Sequence, residues 1–339
     1  MVDLSVNKTW VAFYGAIKSA IRGEREEAIS ALKRLGDQDR DILSHYLAES
    51  MRESDDGITN EDIFKDNRVY EAVTSQVHFR QMRESFANKA TNIMSRQGLD
   101  DKDYYVLDIG VGDGKQLCEI IRKDSFGGRI HLAILDPSER LLEKAVERLM
   151  DLRDARIVEI RKVFDRIENI TVGSLLQLFG CPMHAAIASN SLHHVPYEQK
   201  GPVLSVIRGV CKMLLLHELD AEHDRPERGD DALIYSVWRV FNKSIELTLG
   251  GDLLSEYKEI AIKSFFVPEA RNILLKPRAE RGDYHTTKEQ WADLIADGAG
   301  EIGACEDGGC ELVESACTFE SGPMKMQFQA YAFGVINPA

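Results

Sequence analysis

Val106-Leu107-Asp108-Ile109-Gly110-Val111-Gly112-Asp113-Gly114 runs from an apolar strand into an acidic residue and then into three glycines at alternate positions. A helical pattern follows from Lys115 to Arg122. Glycine has no β-carbon, so the backbone of such a turn can come close to a bound ligand. An acidic residue at the strand end, facing the turn, suits a ligand with hydroxyls and a positive charge. The competing reading is a dinucleotide turn, whose fingerprint is G-x-G-x-x-G. Here the spacing is G-x-G-x-G, and Asp113 stands inside the loop. It would repel a pyrophosphate at the helix N-terminus.

Around this stretch the apolar period changes. Before it, Trp10, Phe13, Tyr14, Ile17 and Ile21 recur at helical spacing. Further stripes run through Ala28–Leu35, Ile42–Met51 and, as one long helix, Val69–Ile93. From residue 104 onward β-rich runs at 104–109, 129–135, 156–161, 184–189 and 211–217 alternate with helical ones, the mark of a parallel sheet with helices on both faces. Glu311–Phe319 and Lys325–Val335, separated by Ser321-Gly322-Pro323, read as a hairpin. The fold class expected is α/β: a Rossmann-like sheet of parallel strands with a C-terminal antiparallel hairpin, preceded by an N-terminal helical cap. The expected organisation is a cap over 1–98, a core over 99–220, a helical insertion over 221–284 that joins the cap, and a closing helix and hairpin over 285–339. Long insertions at a ligand edge often carry specificity.

With 339 residues, 44% of them hydrophobic, the chain can bury a sizeable core. A net charge of −14 argues against nucleic acid, which needs a basic footprint, and against anionic membranes. No apolar window reaches membrane-spanning length, and MVDLSVNKTW lacks the pattern of a signal peptide. Six scattered cysteines fit reduced thiols in a cytoplasmic compartment. Cys305, Cys310 and Cys317 lack a neighbouring His and zinc-knuckle spacing, so no metal is expected.

The strand, acid and glycine order resembles the first motif of class I S-adenosylmethionine (SAM) methyltransferases. That resemblance implies a class I methyltransferase sheet and SAM as cosubstrate. Asp108 would orient the SAM amino group, and Gly110, Gly112 and Gly114 would line the ligand. Asp113 would either cap the next helix or touch the methionine portion. Asp136, ending the second strand, would accept from both ribose hydroxyls or, with Pro137 after it, cap a helix. The adenine contact would come from Val163, Phe164 and Asp165. Ser189-Asn190-Ser191-Leu192-His193-His194 places a polar cluster on the rim after the fourth strand. Asn190 would touch substrate or SAM, and His193 or His194 would serve as general base. His217, Glu218, Asp220 and His223 follow at the end of the fifth strand, His217 on the face opposite Glu218. His285, in Arg281-Gly282-Asp283-Tyr284-His285, is expected to fold back and share one cleft with Glu218.

A second resemblance spans nearly the whole chain. Ile17–Arg52 resembles the opening helices of the GRAS family, and Leu107–Gly114 its IDFG-x-x-x-G segment. Asn190–His194 resembles its asparagine-to-histidine segment. LHELDAEHD over Leu216–Asp224 resembles its E-x-E-x-N-H-N segment. Ala270–Trp291 is similar to its closing segment, with Arg271, Asn272, His285 and Trp291. Plant members are regulators, whereas bacterial members are regarded as small-molecule methyltransferases. The retained glycines and Asp136 move this chain toward SAM binding.

The expectation is therefore a SAM-dependent enzyme acting on a small polar metabolite by methyl transfer, with His193, His194 or Glu218 assisting as base. Two alternatives stand beside it. One is a SAM-consuming cyclase or lyase that releases methylthioadenosine; the other is a non-catalytic SAM-sensing or protein-binding module. Expected partners are a small-molecule substrate and, in the oligomer, a second copy; neither nucleic acid nor membrane is expected.

Overall fold

The apolar run ahead of the glycine turn forms β1 (Asp103–Ile109), in the interior of a seven-stranded sheet. The structure is a computed structural model and describes residues 8–53, 67–96, 102–123, 128–301 and 310–334. The other strands are β2 (Arg129–Asp136), β3 (Ile157–Phe164), β4 (Ala185–Ser189), β5 (Met213–Leu219), β6 (Cys310–Ser321) and β7 (Met324–Phe333). Their order is β3-β2-β1-β4-β5-β7-β6. β1 pairs in parallel with β2 and β4, β2 with β3, and β4 with β5, whereas β7 runs antiparallel to β5. This is the expected fold class, a parallel core closed by an antiparallel C-terminal hairpin. Helices α1 (Lys8–Ile21), α2 (Arg25–Gln38), α3 (Ile42–Glu53), α4 (Asn67–Thr74) and α5 (Val77–Arg96) come before the sheet. Next come α6 (Lys115–Arg122), α7 (Glu139–Asp151), α8 (Val172–Phe179) and α9 (Tyr197–Val210) between the strands. After β5 come α10 (Asp231–Gly250), α11 (Ser255–Ala261), α12 (Val267–Leu275) and α13 (Lys288–Glu301).

The chain divides into two compact units. The sheet unit takes Gln81–Asp220, Thr286–Phe319 and Lys325–Ala339; the helical unit takes Met1–Arg80, Ala221–His285 and Glu320–Met324. The first divide lies inside α5 rather than at residue 98. The cause is packing: Phe86, Ala87, Ala90, Ile93 and Met94 of α5 belong to the core on one face of the sheet. Alternation along the strands builds two such cores. Val106, Leu132, Ile134, Ile187 and Leu215 face α5, α6 and α7. Leu107, Ala133, Leu135, Ala186 and Leu214 face α8, α9 and α13.

The helix expected over Val69–Ile93 is two helices, α4 and α5, broken at Ser75-Gln76. Thr74 and Ser75 are weak helix formers, because their hydroxyls compete for backbone. Gln76 is buried, and its amide donates back to Ala72 O at 3.0 Å. The expected loop over Glu53–Asn60 lies, beyond Glu53, outside the described residues. In the helical unit Trp238 Nε1 donates to Asp41 Oδ2 at 2.7 Å, joining α10 to the start of α3. Trp10 packs tilted against Tyr14 and Trp238 and edge-on against Tyr235, with Lys18 over Tyr14 and Arg239 over Tyr235. No helix among the described residues is long and apolar enough to cross a membrane.

The turn after β1 is held by backbone: Gly110 N and Val111 N both donate to Leu135 O, at 2.8 and 3.1 Å. Gly110 has φ +68°, and a β-carbon there would lie 2.4 Å from Ser191 Cβ. Gly110→Ala should therefore lose about 2–5 kcal/mol, from left-handed strain plus overpacking. Urea denaturation read by circular dichroism measures it, and a loss under about 1 kcal/mol would show that Ser191 moves aside freely.

Candidate functional site

The C-terminal ends of β1, β2, β4 and β5 carry the polar side chains. Ligands of open α/β sheets bind at this edge. Asp108 ends the polar side of β1. It is 3% exposed, and no hydrogen bond from a described residue offsets the cost of burying its charge. Burial first, and then the neighbouring Asp136 carboxylate, push its carboxyl up to about 8. A group so placed favours a cation beside it, because a positive charge would restore its ionised form.

Asp136 is built differently. Its Oδ2 accepts from Gly112 N at 3.0 Å and its Oδ1 from Ser138 N at 2.8 Å. Burial raises this carboxyl too, and the two amides work against the rise. The cap of α7 is Ser138, whose Oγ accepts from Leu141 N, so Asp136 is not the capping residue. Each carboxylate oxygen keeps a second lone pair for another donor. Asp113 faces its own scaffold: its Oδ2 lies 3.1 Å from both Lys115 Nζ and Arg148 Nη2. It thereby ties the glycine loop to α7. Gly114, not Asp113, occupies the capping position of α6. Phe164 stands opposite Asp136 in register and is 60% exposed. Asp165 is engaged in a turn, accepting from Arg166 N at 2.8 Å and Asn169 Nδ2 at 2.7 Å.

The loop after β4 hangs on one carboxylate. Glu218 Oε1 accepts from Ser191 N at 2.9 Å and Leu192 N at 2.7 Å, and its Oε2 lies 2.8 Å from His193 Nδ1. Burial would raise Glu218; His193 and the two amides more than offset it and hold the carboxyl below its usual range. Glu218 is therefore an ionised anchor that fixes the His193 tautomer. Among the candidate bases it is the weakest, and it acts through His193. With Nδ1–H directed at Glu218, Nε2 is the basic nitrogen of His193. The His194 ring lies 4.0 Å from that of His193, and His194 charge favours ionised Asp136. Asn190 sits at φ +51°, an uncommon conformation for a residue with a side chain, and its N donates to His217 O at 2.8 Å.

Alternation sends His217 to the other face, as expected. It stacks on Phe86 at 4.6 Å, between Ser189 Oγ at 3.1 Å and Thr318 Oγ1 at 2.9 Å. Burial lowers it to about 4, so it is neutral. Asp220 accepts from Lys288 N at 3.0 Å and Gln327 Nε2 at 3.3 Å.

His223 and His285 belong to the helical unit, whereas Glu218 belongs to the sheet unit. Ala221, His223 and Asp224 are buried, so this stretch is no solvated loop. His285 Nε2 lies 3.5 Å from Glu269 Oε1. Sequence reading missed Glu269, whose signal was a lone acid in the apolar helix FFVPEARNILL. It also missed Ser191 against Gly110 and the Arg148 partner of Asp113. Both are contacts between distant segments that no local pattern announces. Cys305 of the cysteine group lies outside the described residues.

No family model and no curated protein matches the chain. Solved structures do. SCL7 of Oryza sativa, a GRAS protein, superposes with a TM-score of 0.70 over 96% of this chain and 99% of its own, at 13% identity. The chain has its fold. Looser likenesses are the carbon methyltransferase CurJ, with TM-score 0.49 and 15% identity over 93% of this chain and 69% of its own, and the cyclopropane synthase MmaA2 of Mycobacterium tuberculosis, with TM-score 0.47 and 11% identity over 82% and 100%.

Glu218→Gln should lower stability at pH 7 by about 2–3 kcal/mol, since a neutral amide cannot replace a charged acceptor of three donors. The folded carboxyl lies below its ordinary 4.5, so its contribution is present above that value and lost as pH falls through the folded one. Thermal melts of both proteins should therefore differ at pH 7 and converge as pH falls below the folded value.

Proposed function

We propose that the sheet unit binds SAM and that the protein transfers its methyl group to a small polar metabolite. The observation that carries this reading is Asp108: a buried carboxylate at a strand end, beside a glycine turn, with no donor among the described residues lowering its carboxyl. Asp108 meets the amino group of SAM. Asp136, with lone pairs to spare on both oxygens, accepts from the ribose hydroxyls. Phe164 offers an exposed ring to the adenine. SAM supplies an electrophilic methyl; the protein holds it in line with the incoming nucleophile, and such alignment is worth much of the rate. His193 Nε2 takes the proton of the nucleophile, with Glu218 holding the imidazole and stabilising its charge. His194 and Asn190 stand on the same rim, as substrate contacts.

Calorimetry with SAM and S-adenosylhomocysteine tests the binding, with one site per chain expected and an absence of heat and thermal shift overturning it. Product analysis then separates the chemistries. S-adenosylhomocysteine marks methyl transfer, methylthioadenosine marks cleavage of the carbon chain, and neither marks a binding module.

Asp108 makes a sharper prediction. Its folded value of about 8 exceeds its ordinary 3.8, so without ligand it costs stability as pH rises between the two. Asp108→Asn should stabilise the unliganded chain, on the order of 4 kcal/mol at pH 7 and little at pH 4, while abolishing SAM binding. Wild-type affinity should fall as pH drops from 8 to 6, approaching tenfold per unit, with proton release detected in buffers of different ionisation enthalpy. A pH-independent dissociation constant would remove Asp108 from the site.

A further inference from the structure

We propose that Glu269, Asp283 and His285 form a binding site for one divalent transition-metal cation within the helical unit. Glu269 comes from α12; Asp283 and His285 come from the irregular segment ahead of α13. Between them, Tyr284 turns its hydroxyl back to Arg281 O. The ligating atoms of the three residues all lie within 4.8 Å of one another. A cation with bonds of about 2.1 Å sets its ligand atoms roughly 3–3.5 Å apart in tetrahedral or octahedral geometry. The 3.5 Å between His285 Nε2 and Glu269 Oε1 already meets that, so only a small inward movement of Asp283 closes the set.

Burial points the same way. Glu269, Asp283 and His285 are 7%, 1% and 5% exposed. Two carboxylates out of water repel one another, and burial with Asp283 beside it raises the Glu269 carboxyl; a cation between them would offset that repulsion. The approach to Glu269 is also unusual: Ile262–Phe266 is a π-helical turn, in which Val267 N donates to Ile262 O. Such turns are rare, and they concentrate at functional sites.

An independent observation comes from His223, which is completely buried. Its Nε2 lies 3.1 Å from Ser236 Oγ, and its backbone N donates to His285 O at 2.8 Å. Its ring stands edge-on to that of His285, 5.5 Å away, and Asp283 acts on its charge. Its Nδ1 has no hydrogen-bond partner among the described residues. A buried ring nitrogen of this kind calls for a water or an ion. With Nε2–H given to Ser236, Nδ1 is an acceptor, and a water held by the cation would satisfy it. Two carboxylates and one imidazole suit Zn²⁺, Mn²⁺, Co²⁺ or Fe²⁺, not the soft ions that take thiolates.

The test uses the whole chain, stripped with a chelator and dialysed. Co²⁺ is titrated by visible absorption and Mn²⁺ by the loss of its free electron-spin resonance signal. One equivalent should bind, without a thiolate charge-transfer band, and raise the melting temperature. Glu269→Gln and His285→Ala should each weaken binding by more than 100-fold, and His223→Gln by about 10–100-fold, as for an outer partner. Far-ultraviolet circular dichroism and a cooperative melt of the metal-free variants, matching the metal-free wild type, mark the helical unit as folded, and SAM calorimetry on the same samples reads the sheet unit separately. No binding by the wild-type chain, a thiolate band, or unchanged affinity in His285→Ala would each overturn the site.

Discussion

One carboxylate holds the candidate site in shape. Glu218, at the end of β5, takes two backbone amides and an imidazole from the loop after β4. That clamp sets Ser191 against Gly110, where only a glycine fits, and so couples the ends of three neighbouring strands. The turn after β1 is in turn tied to Leu135 O at the end of β2. Remove the charge on Glu218, and both the loop and the turn it leans on lose their reference point.

Four buried acids at one sheet edge show how surroundings decide the role of a side chain. Glu218 is saturated with donors and stays ionised. Asp136 has two amides and capacity left over. Asp108 has none among the described residues, and burial suppresses its charge. Asp113, two residues beyond Val111, is neutralised by Lys115 and Arg148. The acids therefore divide into those that build the edge and the one that waits for a ligand.

The sheet was legible in the sequence because its signals are local. Val106–Gly114 announces strand, turn and helix within nine residues, and the alternation that opposes His217 to Glu218 is a period-two pattern. Asp108 and Asp136 could be picked out as strand-end acids for the same reason. What could not be read was which acid is free. The choice rests on Ser191, Leu192 and Arg148, contacts across 26 residues or more between Glu218 and its loop and 35 between Arg148 and Asp113. The break at Gln76 was hidden similarly, since the apolar stripe of α4 and α5 keeps helical spacing across it. Glu269 went unnoticed because a single acid carries no pattern; only folding sets it beside Asp283 and His285.

The strand order has a consequence for biosynthesis. β5 pairs with β4 on one side and with β7 on the other, and β7 is Met324–Phe333, near the C-terminal end of the sequence. On a ribosome, about one hundred residues emerge between Leu219 and Met324, at roughly 5–20 per second. For those seconds the edge of Met213–Leu219 that faces away from β4, on one of the most apolar strands of the sheet, lacks its β7 neighbour. An open, apolar edge of this kind is a template for joining other chains. The nascent protein is therefore most vulnerable to aggregation just before β7 is made, and chaperones that shield extended apolar segments would act on it in that interval.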